Sequence, residues 1–126
     1  MTKQEAKNRA KPKRVSQLAA LQYLYLTTTG RITGLPREIE IWFVLSDGKL
    51  YILAEHFRKA QWVKNIERDG RVSVRVAERE YAATARVLDR KRDSAAWKTA
   101  QQLAREKYGW GEGLPVEIVT AKPLKS

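Results

Sequence analysis

Apolar residues recur at every second position through much of this 126-residue chain, interrupted by glycine, proline and short charged runs. A period of two puts successive side chains on opposite faces of an extended strand. Tyr23-Leu24-Tyr25-Leu26-Thr27-Thr28-Thr29 is rich in aromatic and β-branched residues and predicts a first strand, which stops at Gly30. Residues 30–36 (GRITGLP) hold two glycines and a proline and predict a turn. From 37 to 45 the alternation resumes, with Ile39, Ile41, Phe43 and Leu45 on one face and Glu38, Glu40, Trp42 and Val44 on the other. Asp47-Gly48 is a strong hairpin signal, so residues 49–54 are expected to run back beside that strand. Residues 71–76, 80–88 and 114–121 supply three further strands, the first two joined by Ala77-Glu78-Arg79.

In three places the period lengthens to that of a helix. Ser16 is a candidate N-cap for a short helix carrying Leu18, Ala19 and Leu21. Residues 58–68 put Trp62, Val63 and Ile66 on one side and end before Gly70. Asp93 or Ser94 caps a longer helix to Tyr108, with a stripe of Ala96, Trp97, Ala100, Leu103, Ala104 and Tyr108, and Gly109 ends it. Six strands with tight antiparallel connections favour a closed or nearly closed barrel, which removes most exposed edges. The expected fold is therefore mainly β with flanking helices, a six-stranded antiparallel barrel in a single domain over residues 15–126. Residues 1–14 lack apolar periodicity and read as a basic mobile arm.

Composition narrows the chemistry. A 43% apolar and 9% aromatic chain has enough material for one ordinary core. No apolar run approaches the roughly 18–20 residues that cross a bilayer, and the N-terminal segment has no apolar stretch of the secretory type. The absence of cysteine excludes disulfides and thiol catalysis and fits a reducing, cytoplasmic location. The net charge is +11, of which residues 1–14 carry +5, so the domain itself is basic. Such a surface attracts nucleic acid, anionic lipid or a phosphorylated small molecule, and charge alone does not choose among them.

Two segments combine cations with backbone suited to anions. Residues 28–37 (TTGRITGLPR) place Arg31 and Arg37 around a glycine turn, whose amides, with the Thr33 hydroxyl, can form a nest for phosphate. An ordinary hairpin loop with solvated arginines has the same pattern. Arg58 and Lys59 stand at the expected start of a helix, where the dipole favours an anion, or they simply point into water. Trp62 reads as core more than as a ligand contact. His56 is the single histidine; without Cys or His partners it makes a poor metal site. Glu38 and Glu40 share a strand face, as surface carboxylates often do. Tyr108 and Trp110 form an aromatic pair in a glycine-flanked loop that either lines a substrate pocket or packs on the barrel mouth. There is no P-loop and no dinucleotide-binding glycine fingerprint.

Thr29-Gly30-Arg31-x-Thr33-Gly34-x-x-Arg37 resembles the G-R-x-[S/T]-G-x-x-R signature of the deazaflavin (F420)-dependent nitroreductase family. Lys59-x-x-Trp62-x-x-Asn65-Ile66 resembles its K-x-x-W-x-x-N-L helix. Ile41-Trp42-Phe43, Arg71-Val72-x-Val74 and Leu114-Pro115-Val116 resemble its strands. The wider superfamily comprises pyridoxamine-phosphate-oxidase-like split β-barrels that bind FMN, usually as homodimers. The resemblance implies a split barrel and an oxidoreductase that transfers hydride from F420, or alternatively FMN, to a small acceptor such as a quinone or nitro compound. It also implies cofactor contacts at Arg31, Thr33, Gly34 and Arg37, with Arg58 and Lys59 assisting, and ring contacts at Glu40, Ile41, Trp42 and Trp62. No side chain is required as acid or base, because the cofactor carries the chemistry. The chain departs from that family where Glu55-His56-Phe57 replace its usual glycines. A nucleic-acid-binding module, with Tyr23 and Tyr25 as stacking platforms, and a non-catalytic flavin- or deazaflavin-binding protein are the alternative readings.

Overall fold

The computed structural model describes residues 14–125. The arm expected over residues 1–14 lies, except for Arg14, outside the described residues. Helix α1 (Arg14–Ala19) begins two residues before the expected cap, so Ser16 sits inside it. Its Leu18 is fully buried in the main core.

Seven strands form one antiparallel sheet. They are β1 (Tyr23–Thr29), β2 (Pro36–Trp42), β3 (Val44–Ser46), β4 (Lys49–Ala54), β5 (Arg71–Val76), β6 (Arg79–Val87) and β7 (Leu114–Thr120). A 3-10 turn over Phe57–Lys59 and helix α2 (Gln61–Arg68) link β4 to β5. Helix α3 (Ser94–Tyr108) links β6 to β7. The spatial order is β2-β1-β5-β6-β7-β4-β3.

The strand expected over residues 37–45 is thus two strands, and the sheet has seven rather than six. β2 pairs with β1, Tyr23 opposite Trp42 and Thr29 opposite Pro36. β3 turns back on β4 across Asp47-Gly48. β2 and β3 occupy opposite edges of the sheet, yet Phe43 alone separates them in the chain. The sheet must therefore curl until its edges meet at Phe43. A straight strand cannot serve partners on both edges, so the backbone leaves the ladder at that residue, and α3 side chains take over its hydrogen bonds.

Alternation then sorts the side chains into two cores. Leu24, Leu26, Phe43, Ile52, Val74 and Ile118 fill the inside of the curl. Val44 and Tyr51 face the other way and are covered by Trp97, Ala100 and Ala104 of α3, with Val63 of α2. Each fully buried Leu, Ile or Phe contributes roughly 1.5–3 kcal/mol. The helix expected over 58–68 is likewise divided. Ala60 is extended (ψ 136°), so Arg58 and Lys59 lie on the 3-10 turn ahead of α2 and not in its first turn. Asp93 is the N-cap of α3, but its carboxylate accepts from the Asp89 N–H at 2.7 Å and from Arg86 at 3.0 Å instead of from the helix.

Candidate active site

The turn over residues 30–37 is closed by its own backbone. The Gly30 N–H donates to the Leu35 carbonyl at 2.8 Å and the Gly34 N–H to the Gly30 carbonyl at 2.7 Å. Gly34 takes φ +73°, a left-handed conformation open to glycine at little cost. The Thr33 hydroxyl accepts from the Leu35 N–H at 3.2 Å and from Arg37 Nη2 at 3.4 Å.

A buried asparagine fixes this turn to the rest of the fold. Asn65, on α2 and 4% exposed, accepts at Oδ1 from the Arg31 N–H (3.1 Å) and Arg31 Nη1 (3.0 Å). Its Nδ2 donates to Thr28 Oγ1 on β1 at 3.1 Å. Arg31 Nη2 donates to Gln61 Oε1 at 2.7 Å. The amide on α2 thus satisfies polar groups of the turn and of β1 that would otherwise be stranded at high cost. Asn65 and Gln61 were not among the expected site residues, although the resemblance includes Asn65 in its helix motif.

Two clefts adjoin this arrangement, and Trp62 lines both. The first, of 460 Å³, lies between the turn and the start of α2, with Arg31, Thr33, Arg37, Gln61 and Asn65 in its lining and no carboxylate among the described residues. The second, of 530 Å³, is largely aromatic and apolar, and Glu40, Ile41, Trp42, Tyr108 and Trp110 all line it. Arg31, Thr33 and Arg37 are therefore brought together at one end, and Glu40, Ile41, Trp42, Tyr108 and Trp110 at the other. Gly34 lines instead a third groove, which shares Arg31 and Thr33 with the first cleft and adds Arg68, Asp69 and Arg71. Arg58 is not brought to either cleft. It pairs with Glu67 and lines a groove with Arg86 and Arg92. Lys59 is exposed.

The aromatic cleft is organised by Tyr108. Its ring stacks on Trp42, centroids 4.2 Å apart and planes 3° from parallel. Burial raises the Tyr108 hydroxyl above the ordinary tyrosine range. Beside it, Lys107 Nζ donates to the Phe43 carbonyl at 2.9 Å and stands 4.1 Å from the Phe43 ring centroid. Burial lowers this ammonium to about 8. The glycine-flanked Trp110 loop is held in place. Gln101 Nε2 donates to the Gly113 carbonyl at 3.0 Å, and a Cβ on Gly113 would come within 2.7 Å of the Trp110 ring. No group of three or more His, Asp or Glu side chains able to hold a metal occurs among the described residues.

The chain matches the F420H(2)-dependent quinone reductase family over residues 1–121. It belongs to that family. Membership places it among F420-dependent oxidoreductases. An F420-H2 dependent reductase (FDR-A) is 27% identical, covering 77% of this chain and 92% of its own, with a TM-score of 0.59. A conserved hypothetical protein from Mycobacterium tuberculosis is 17% identical, covering 97% of this chain and 82% of its own, with a TM-score of 0.68. A FAD-binding protein from Mesorhizobium loti is 13% identical, covering 86% of each chain, with a TM-score of 0.66. The last two share the fold alone. No curated protein matches. Among the described residues no helix is long and apolar enough to cross a membrane.

Proposed function

We propose that this quinone reductase family member binds F420 across both clefts and passes hydride to a small planar acceptor of the quinone type. The observation that carries the reading is the division of the site at Trp62. On one side lie guanidinium, hydroxyl and amide donors without a carboxylate, a donor set suited to the phosphate-bearing end of the cofactor. On the other lies an apolar, aromatic space suited to a flat ring. In this assignment Arg31, Thr33 and Arg37 hold the phosphate, and the Gly34 conformation aims the turn. Ile41, Trp42 and Trp62 flank the ring, and Tyr108 and Trp110 enclose the acceptor and exclude water. Bound F420 supplies the hydride in its reduced form. Arg58, tied to Glu67, serves at most from a distance, whereas Lys59 remains free to meet an extended anionic tail.

FMN is the alternative cofactor, supported by fold likeness at low identity only. Nitro compounds are a second acceptor class for the same cleft. The nucleic-acid reading finds little support on the face where Tyr25 stands. There the Tyr25 hydroxyl donates to Glu40 at 2.8 Å and Arg75 pairs with Glu38, so carboxylates meet any approaching phosphate backbone. A homodimer is proposed from the superfamily.

Adding F420 or FMN to the purified protein and recording the visible spectrum tests the assignment. Perturbation of the F420 band, followed by oxidation of F420H2 when a quinone is added, is the expected result. No binding of either cofactor, together with salt-sensitive oligonucleotide binding, overturns it. Cofactor binding without turnover of any acceptor supports a carrier role instead.

A further inference from the structure

The chain has 25 Lys and Arg among 126 residues, yet among the described residues none of them lines the 530 Å³ cleft. Its ionisable lining residues are Glu40, Glu55, His56 and the tyrosines Tyr23, Tyr51 and Tyr108. The adjoining 460 Å³ cleft is the reverse, with Arg31 and Arg37 and no carboxylate. Among the described residues the space assigned to the acceptor is thus free of Lys and Arg and has carboxylates beside it. The walls add to the effect. Tyr23 and Trp42 are 47% and 40% exposed, and Trp62 and Trp110 also line the cleft, so electron-rich ring faces are available there. Such faces attract cations.

We propose that the acceptor end of the cleft selects planar aromatic acceptors carrying positive charge over anionic ones, with Glu55 and Glu40 as the specificity-determining residues. The inference rests on the acceptor assignment made above. Glu40 is held in place by the Tyr25 hydroxyl. Glu55 stands 72% exposed at the cleft, 4.0 Å from His56, which offsets it only when protonated. Lys107 stands 5.0 Å from the Tyr108 ring. Its ammonium is directed at the Phe43 carbonyl, and it does not line the cleft. Unit charges about 5 Å apart at a wet site interact strongly enough to separate opposite-charge ligands by roughly three- to tenfold.

Three of the four tryptophans, Trp42, Trp62 and Trp110, line the cleft, so ligand entry is readable as fluorescence quenching in the intact protein. Two naphthoquinones that differ only in a trimethylammonium or a sulfonate side arm serve as probes. The cationic probe is expected to bind about three- to tenfold more tightly at low ionic strength, and the ratio to shrink as salt shortens the screening length to a few ångströms. Glu55→Gln should reduce the ratio and Glu55→Lys should bring it to one or below. Glu55 is exposed, and a melting curve on each variant checks that it folds. Equal binding of the two probes by the unaltered protein overturns the inference, as does a ratio indifferent to salt and to Glu55→Lys. The readout needs no turnover. Charge preference without F420H2 oxidation therefore removes the enzymatic reading alone, and oxidation without charge preference removes this one alone.

Discussion

The hydroxyl of Tyr108 occupies both backbone polar groups of Phe43, accepting its N–H at 3.0 Å and lying 2.8 Å from its carbonyl oxygen. The same hydroxyl lies 2.8 Å from the Gln22 carbonyl, and its single proton serves one of the two carbonyls at a time. Phe43 is where the chain steps from one edge of the curled sheet to the other. One side chain from the end of α3 therefore closes the sheet and, through its ring, builds a wall of the aromatic cleft.

Tyr108→Phe keeps the stack on Trp42 but leaves a buried Phe43 N–H without a partner. It should lower stability by about 1–3 kcal/mol, read as a lower denaturant midpoint at unchanged slope. Unaltered stability would mean that the joint is held by packing alone.

Arg37 touches the protein through one long hydrogen bond to Thr33, whereas Arg31 is tied to Asn65 and Gln61. Arg37→Ala should therefore weaken F420 binding about ten- to a hundredfold, as expected for a charge-assisted phosphate contact worth roughly 1.5–3 kcal/mol. The melting temperature should not move. Fluorescence titration of F420 alongside a melting curve checks both halves; unchanged affinity removes the phosphate assignment.

Asn65→Leu should cost more stability than its size suggests, because Thr28 Oγ1 and the Arg31 N–H lose their buried partner. A loss of about 1–3 kcal/mol is expected, accompanied by weaker F420 binding as the turn loosens. Denaturation and titration of the same variant report the two effects.

Half-buried Lys107 on α3 and buried Tyr51 on β4 shape the alkaline behaviour in opposite senses. Burial holds Lys107 at about 8 against an ordinary 10.5, so the unfolded chain binds the extra proton between those values and stability rises with pH across that window. Burial first, and then the bond to Glu117, push Tyr51 up from 10.0 to about 12, so its contribution is intact below pH 10 and is lost between 10 and 12. Lys107→Met should flatten the rise and Tyr51→Phe the fall, in chemical denaturation measured at a series of pH values.

The β5–β6 hairpin turns on Ala77 and Glu78, both at positive φ (53° and 62°). Left-handed backbone costs a non-glycine residue roughly 1–2 kcal/mol, and this turn type favours Asn-Gly. Replacing the pair by Asn-Gly should raise stability by about 1 kcal/mol or more without affecting F420 binding. A lower melting temperature would contradict this account of the turn.

Local patterns determined most of the elements. The alternation over 23–29 and 71–76 predicts β1 and β5 to the residue, and the stripe over 94–108 predicts α3 with its Gly109 stop. The two glycines and two arginines of residues 30–37 marked the turn proposed to hold the cofactor phosphate, because its requirements for φ and for charge are written into neighbouring residues. The break at Phe43 was not legible. Its alternation continues unbroken, and the switch of edge depends on Tyr108, 65 residues away. Ala60 hides the division of the 58–68 helix in the same way, since nothing in its neighbours demands an extended backbone. Only the folded chain places Arg58 on Glu67, Arg31 on Asn65 and Trp62 between the two clefts. Those contacts join residues far apart in sequence, and partner choice of that kind is set by the curl of the sheet, which local periodicity does not encode.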